Sequence, residues 1–278
     1  MAGFFGLFDY SKPGKGVDKN GPQKKRFFLF FELFFRKFWK MITLNLLYIL
    51  FCIPIVTIGP ATAAMGRIMK EFACERPVFL WSDFWEHFKK NFKQGFIMEL
   101  IDIVVIVFAY IAYHFYQYRV GDDPMYYIPM ALTMGVIYIA VVMNYYIFLM
   151  IPTVDMSLPK IIKNSFLLAL GMRTNILTFI ITTALVMAAY FFWPIGILLT
   201  LFILCSLYGF IVAFNSYQYI DKYVISPYYE RTGERRPDLP YTDEDFDEDD
   251  IVFEDIGTQE KPLEQPSAKG AKKGKVIK

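Results

Sequence analysis

The chain has 278 residues, of which 55% are hydrophobic, 19% are aromatic and only 20% are charged, and its formal net charge is +2. Soluble domains carry about 25% charged residues, and a compact chain of this length cannot hide so much apolar surface from water. The composition excludes a soluble enzyme, a nucleic-acid-binding domain and a disordered chain as descriptions of the main body. It predicts an all-α, polytopic membrane helical bundle whose main solvent is the lipid bilayer.

The two ends of the chain are polar and differ in character from the body. Residues 1–26 are rich in glycine, proline and lysine, and we interpret them as a polar N-terminal segment. Residues 227–278 include a dense run of acids, whose mutual repulsion predicts a disordered cytoplasmic tail. Between them, residues 27–40 mix phenylalanines with charges and end in Phe38-Trp39-Lys40, which is typical of an interfacial helix at headgroup level.

Residues 41–226 are predicted to form the transmembrane bundle. The first apolar run, Met41 to Ile58, has 18 residues without a charge, which is enough to span a bilayer. Four further apolar runs follow, so hydropathy alone predicts five spans. They cover residues 96–115, 125–151, 176–193 and 195–214.

Charge predicts one more leg than hydropathy does. Basic residues crowd the segments on both sides of the first apolar run, and a single crossing would place one of these clusters outside, against the positive-inside bias. A chain that enters near Phe38, turns within Pro54–Pro60 and returns by about Lys70 keeps both clusters inside. We therefore expect five to six membrane legs, with a broken or re-entrant second leg and with both termini cytoplasmic.

Two stretches between the apolar runs have the pattern of amphipathic helices. Residues 81–92 and 157–166 each place charged and apolar side chains at helical spacing and lead into a predicted span. Their lysines predict that both helices lie on the cytoplasmic side of the membrane.

The broken second leg contains most of the candidate functional residues: Pro54, Gly59, Pro60, Thr62 and Gly66. Small residues at helical spacing allow two helices to approach closely. A broken helix also exposes backbone dipoles that can bind an ion or a ligand. The sequence leaves both interpretations open.

Two acidic residues complete the set of candidates. Glu99 and Asp102 lie three residues apart near the start of a predicted span, so they share one helix face. Carboxylates inside a membrane are candidate ion or proton sites. The alternative is that they pair with Arg67 or Lys70 on the return leg or are hydrated at the lipid headgroups.

The remaining residues do not form a recognisable catalytic or metal-binding set. The phosphate-binding pattern G-x-x-x-x-G-K-[ST] is absent, and the two histidines, His87 and His114, are separated by a predicted span. We therefore expect no enzymatic activity, no cofactor, no metal and no nucleic-acid partner.

The first ninety residues resemble the YesL family. The resemblance is carried by Phe5-Gly6-Leu7-Phe8-Asp9-Tyr10, by Cys52-Ile53-Pro54-Ile55-Val56-Thr57-Ile58-Gly59-Pro60-Ala61-Thr62-Ala63-Ala64-Met65 and by Phe79-Leu80-Trp81-Ser82-Asp83-Phe84. It is strong over about residues 4–95 and diffuse over 96–220. The family is bacterial and integral to the plasma membrane, and it has no established biochemical activity. Its members are often encoded beside carbohydrate ABC transporters and polysaccharide-degrading enzymes.

The resemblance implies a non-enzymatic plasma-membrane protein that assists or regulates carbohydrate uptake, with ABC-transporter permease subunits as its expected partners. One alternative is a small-solute transporter in its own right, with the broken helix at Pro54–Gly66 as its site. A second alternative is a membrane enzyme acting on lipid or glycan, which the lack of a clustered acid/base or metal set disfavours.

Overall fold

The computed structural model describes residues 25–234 and 236. Residues 1–24 of the predicted polar segment 1–26 and the acidic part of the tail predicted at 227–278 therefore lie outside the described residues. The compact unit that contains the described helices extends to Thr232. It passes the predicted end of the bundle at residue 226, because a short helix continues the last span.

The first half of the described chain is helical and contains four long helices and one shorter one. These are α1 (Arg26–Cys52), α2 (Ile58–Ala73), α3 (Leu80–Lys90), α4 (Phe92–Arg119) and α5 (Tyr127–Met150). Short 3-10 turns at Ile55–Thr57 and Pro124–Tyr126 precede α2 and α5. The amphipathic helix predicted at 81–92 corresponds to α3.

The second half is also helical. Its helices are α6 (Leu158–Gly171), α7 (Thr174–Phe191), α8 (Trp193–Leu199), α9 (Cys205–Ile220) and α10 (Ser226–Thr232). π-helical turns at Thr200–Leu204 and Asp221–Ile225 join α8 to α9 and α9 to α10 without a break. The described residues contain no strand, so the all-α prediction is confirmed.

Among the described residues, four helical segments are long and apolar enough to cross a membrane: Phe92–Arg119, Pro124–Met150, Thr174–Phe191 and Trp193–Thr232. They correspond to the last four apolar runs of the sequence. The first run, 41–58, does not form a continuous span, because α1 ends at Cys52 and its charge-free part covers only twelve residues. The fold is thus a helical bundle with four candidate spans, and α1 and α2 are additional to them.

Helix α1 is continuous across the boundary at residue 40 that the sequence predicted between an interfacial helix and the first leg. Its first half packs on the bundle, because Leu33 is buried and the Phe30 ring stacks on Phe210 with centroids 5.1 Å apart. The opposite face leaves Phe35 and Trp39 exposed. The predicted segment 27–40 is therefore the first half of one long helix.

Helices α1 and α2 form the predicted hairpin. The Thr57 hydroxyl closes its turn by donating to the carbonyl oxygens of Phe51 and Pro54, at 2.5 Å and 2.7 Å. At the open end, the Lys37 ammonium donates to the Arg76 carbonyl oxygen at 2.9 Å. The two basic segments that flank the first apolar run therefore lie together, as the charge argument predicted.

The hairpin reaches only part of the way along α4. Its tip contacts Gly95 and Glu99, which lie in the first two turns of α4. Helix α4 has 28 residues, so it continues for roughly 30 Å beyond that contact at 1.5 Å per residue. The tip of the hairpin therefore meets α4 near the N-terminal end of α4, and α4 extends well past it.

Helix α2 lies at the centre of the bundle. It contacts α1, α3, α4, α5 and α9, and ten of its sixteen residues are buried. Its first turns carry only small residues and a proline, Gly59-Pro60-Ala61-Thr62-Ala63-Ala64, which lets neighbouring helices approach its backbone closely.

Buried amides connect helices that are distant in sequence. Asn45 donates to the carbonyl oxygens of Thr200 and Leu201, and its own oxygen accepts the Ser206 backbone N–H at 2.8 Å. These groups lie in and beside a π-helical turn, where the change of helical pitch leaves backbone groups available. Asn175 likewise accepts from the Tyr146 hydroxyl at 2.6 Å. Interhelical hydrogen bonding thus explains these asparagines.

Candidate functional site

The tightest backbone contact among the predicted site residues is at the tip of the hairpin, where Gly59 of α2 meets Gly95 of α4. A Cβ atom on Gly59 would lie 2.2 Å from the Gly95 carbonyl oxygen, and one on Gly95 would lie 2.8 Å from the Pro60 Cα. Both distances are far shorter than a carbon–oxygen or carbon–carbon contact allows. Glycine at 59 and 95 is therefore what lets α2 begin directly against the backbone of α4.

Glu99 binds the start of α2. Its carboxylate is buried and accepts the Gly59 backbone N–H, with an Oε2 to N distance of 3.0 Å. The first N–H groups of a helix have no partner within the helix, and the helix dipole favours a negative charge there. Glu99 thus acts as a cap from a neighbouring helix. The expected pairing of Glu99 with Arg67 or Lys70 is wrong, because the hairpin places those cations at the other end of α2.

The next turns of α2 continue the close packing. The Thr62 hydroxyl donates to the Ile58 carbonyl oxygen at 2.7 Å and lies 3.1 Å from the Tyr48 hydroxyl. A Cβ atom on Gly66 would lie 2.7 Å from the Phe148 carbonyl oxygen of α5. Of the two interpretations that the sequence left open for this segment, the structure thus shows close helix packing.

Pro54 has a different role from the other predicted site residues. It is exposed, and it stands between the end of α1 and the 3-10 turn, where its carbonyl oxygen accepts the Thr57 backbone N–H at 3.0 Å. The missing N–H and fixed φ of proline end a helix. Pro54 therefore shapes the turn and does not line the contact between α2 and α4.

Asp102 lies one turn further along α4 and faces another helix. Its Oδ1 accepts from the Asn144 amide of α5 at 3.1 Å. Both side chains line a cavity of about 340 Å³ between α4 and α5. The structure therefore separates the two predicted acids: Glu99 is engaged by the hairpin, whereas Asp102 belongs to the α4–α5 interface.

A cluster around Glu71 was not among the predicted site residues. The Glu71 carboxylate lies 3.0 Å from Arg67, 3.2 Å from Lys70 and 3.6 Å from Arg76. Lys70 is 3% exposed, and burial, followed by the charge of Arg67, lowers its pKa. The sequence showed these cations only as contributors to the charge bias, because nothing in their spacing indicates that one carboxylate holds all three.

The cluster borders a polar cleft of about 330 Å³ between α2 and α3. His87 lies in this cleft, and burial, followed by the charge of Arg67, lowers its pKa. Asp83 also lines the cleft, and its carboxylate accepts the Phe79 backbone N–H at 2.9 Å. The Glu71 cluster holds Arg76, whose carbonyl oxygen accepts from Lys37 of α1 at the open end of the hairpin.

Within residues 25–234 and 236, no three histidine, cysteine or acidic side chains come together as metal ligands. His87 and His114 belong to different helices, α3 and α4. The three cysteines, Cys52, Cys74 and Cys205, are present as free thiols.

Comparison with known proteins gives one family. A family model described as "Protein of unknown function, DUF624" matches residues 41–113, which is about a quarter of the chain. YesL-type proteins belong to this family, so the match agrees with the resemblance at the level of the family. No curated protein and no solved structure shows significant similarity to the chain. The matched stretch comprises the second half of α1, all of α2 and α3, and most of α4, so the hairpin tip and both acids lie in the part of the chain that is similar to DUF624.

Proposed function

We propose that this chain is a non-enzymatic, multi-pass plasma-membrane protein of the YesL type, with both termini cytoplasmic, that assists a carbohydrate ABC transporter by binding its permease subunits. The four apolar helices support the membrane location. The resemblance to YesL proteins supports the link to carbohydrate uptake, since members of that family are often encoded beside such transporters.

The outward face of α4 is the observation that supports a helix-binding role. Only 17% of the most apolar stretch of α4 is buried within the chain, the smallest share among the four candidate spans. Val104, Phe108, Ile111 and Phe115 form an exposed stripe at spacings of four, three and four residues. Such a stripe can pack along a neighbouring transmembrane helix.

The packing at the start of α2 favours an accessory role. It does not favour solute transport through the broken helix. In transporters with broken helices, the free N–H groups at the start of a half-helix bind the substrate, and the corresponding groups here are at the start of α2. Here Glu99 already accepts the Gly59 N–H, and the backbone of Gly95 fills the adjacent space. A solute could bind at the tip only after α2 and α4 had separated.

Site-specific photocrosslinking in native membranes tests the proposal. A benzophenone amino acid at Phe108 is expected to crosslink to the permease subunit of a sugar importer, which mass spectrometry of the purified adduct would identify. The matched control is the same amino acid at Tyr190 of α7, which has a similar exposed fraction, 72% against 69%. Crosslinks from Phe108 only to lipid or to this chain itself would contradict the proposed partner.

A further inference from the structure

The cavity between α4 and α5 has the composition of a ligand site. Its volume is about 340 Å³, and its walls are mainly apolar and aromatic, with Tyr110 and Tyr113 on α4 and Met134 on α5. Asp102 and Asn144 are the polar groups in its lining. Small-molecule sites in proteins combine an apolar wall of this kind with a few polar groups that orient the ligand.

The polar end of this cavity is short of hydrogen-bond donors. Asp102 accepts one bond from the Asn144 amide nitrogen, although an ionised carboxylate can accept about four. The Asn144 amide oxygen is buried and has no hydrogen-bond partner among the described residues. No lysine or arginine in that part of the chain forms an ion pair with Asp102. Two neighbouring acceptor groups, the Asp102 carboxyl and the Asn144 amide oxygen, therefore share a single donor.

Asp102 is the eleventh residue of α4, a helix that is long and apolar enough to cross a membrane. A carboxylate inside such a helix normally has a partner that compensates its charge. The cavity continues for about 16 Å along α4 from Asp102 to Tyr113, so its shape suits an extended apolar chain.

We propose that the α4–α5 cavity binds a lipophilic primary ammonium ion, with the ammonium group on Asp102 and the apolar chain between the tyrosines of α4 and Met134 of α5. A primary ammonium supplies three N–H donors for these acceptors, and its positive charge stabilises the ionised form of Asp102. This site does not depend on the proposed role in carbohydrate uptake.

Competition between three ligands of equal chain length tests the chemistry in the unmodified protein. The full chain in zwitterionic lipid nanodiscs would be labelled with a dodecylamine that carries a photoreactive diazirine, and the labelled peptides would be mapped by mass spectrometry. Dodecylamine is expected to compete about tenfold better than dodecanol, which has no charge, and than dodecyltrimethylammonium, which has no N–H donor. Equal competition by all three would overturn the proposal, as would labelling that misses the α4 and α5 peptides.

A pair of variants tests the residue. Asp102→Asn is expected to reduce amine labelling about tenfold, because it removes the charge and half of the acceptors. Asp122→Asn is the matched control, since it removes an acid in the exposed loop after α4 and should label like the unmodified chain. Undiminished labelling of Asp102→Asn would overturn the proposal. The three-ligand comparison decides the question independently if Asp102→Asn does not fold.

Discussion

The hairpin and the α4–α5 interface use the same helix in opposite ways. In the first two turns of α4, Gly95 and Glu99 meet the hairpin with backbone contacts and a buried hydrogen bond. One turn later, Asp102 faces a cavity with a single hydrogen-bond partner. Two carboxylates on one apolar helix therefore have different roles. Glu99 reaches the free backbone N–H of Gly59 and caps α2, whereas Asp102 reaches no such N–H and remains open to a ligand.

The largest expected effect comes from adding one methyl group at the hairpin tip. Gly59→Ala should lower the free energy of unfolding by about 3 kcal/mol, because its Cβ would overlap the Gly95 carbonyl oxygen and force α2 away from α4. The midpoint of SDS-induced unfolding in mixed micelles would measure this change. Gly135→Ala is the matched control, since no atom lies within 4 Å of its added Cβ. Equal midpoints for the two variants would show that the tip contact is not tight.

Removal of the carboxylate cap is the second test of the comparison. Glu99→Ala leaves the buried Gly59 N–H without its acceptor, so the free energy of unfolding should fall by about 2 kcal/mol. Glu99→Gln retains an acceptor oxygen and should recover at least half of that loss in the same unfolding assay. If Glu99→Gln were as unstable as Glu99→Ala, negative charge at the helix start would matter more than the hydrogen bond.

A smaller effect is expected from the interhelical amide on α1. Asn45→Leu removes the bonds to the Thr200 and Leu201 carbonyl oxygens and to the Ser206 N–H. Hydrogen bonds between membrane helices contribute about 0.6 kcal/mol on average, so a loss of about 1–2 kcal/mol is expected. The midpoint of SDS-induced unfolding would again measure this loss. An unchanged midpoint would show that apolar packing alone holds α1 against the π-helical turn.

The smallest effect is expected at Asp102. Asp102→Asn should leave the free energy of unfolding unchanged or raise it by up to about 1 kcal/mol, because the side chain keeps its size and gains an N–H donor beside the unpartnered Asn144 oxygen. A loss as large as that of Glu99→Ala would erase the contrast between the two acids and make both of them structural.

The sequence predicts the architecture better than it predicts the site. The apolar runs correspond to the four candidate spans, and the charge bias around Met41–Ile58 correctly requires a hairpin. Hydropathy could not show that α1 ends at Cys52, because the apolar run continues through the turn at Ile53–Thr57. The end of the helix depends on Pro54 and on the Thr57 hydroxyl, which are local effects.

The separation of the two acids could not be predicted from their spacing. Glu99 and Asp102 share a helix face, and the spacing of three residues says nothing about which neighbouring helix each one meets. That choice depends on Gly95, whose role becomes visible only when Gly59 is placed against it. The pairing of Asp102 with Asn144 likewise depends on α5, which lies outside the matched family region.

Cysteine accessibility distinguishes a hairpin that enters and leaves the membrane on one side from a chain that crosses once between residues 40 and 89. Single cysteines would replace Lys40, Lys89 or Asp122 in a chain whose natural Cys52, Cys74 and Cys205 are alanine, and an impermeant thiol reagent would be added to intact cells. For a hairpin followed by a membrane-crossing α4, the cysteines at 40 and 89 are both expected to be protected until the cells are permeabilised, whereas the one at 122 reacts at once. Opposite behaviour of positions 40 and 89 would show that the chain crosses the membrane once between them and that it forms no such hairpin.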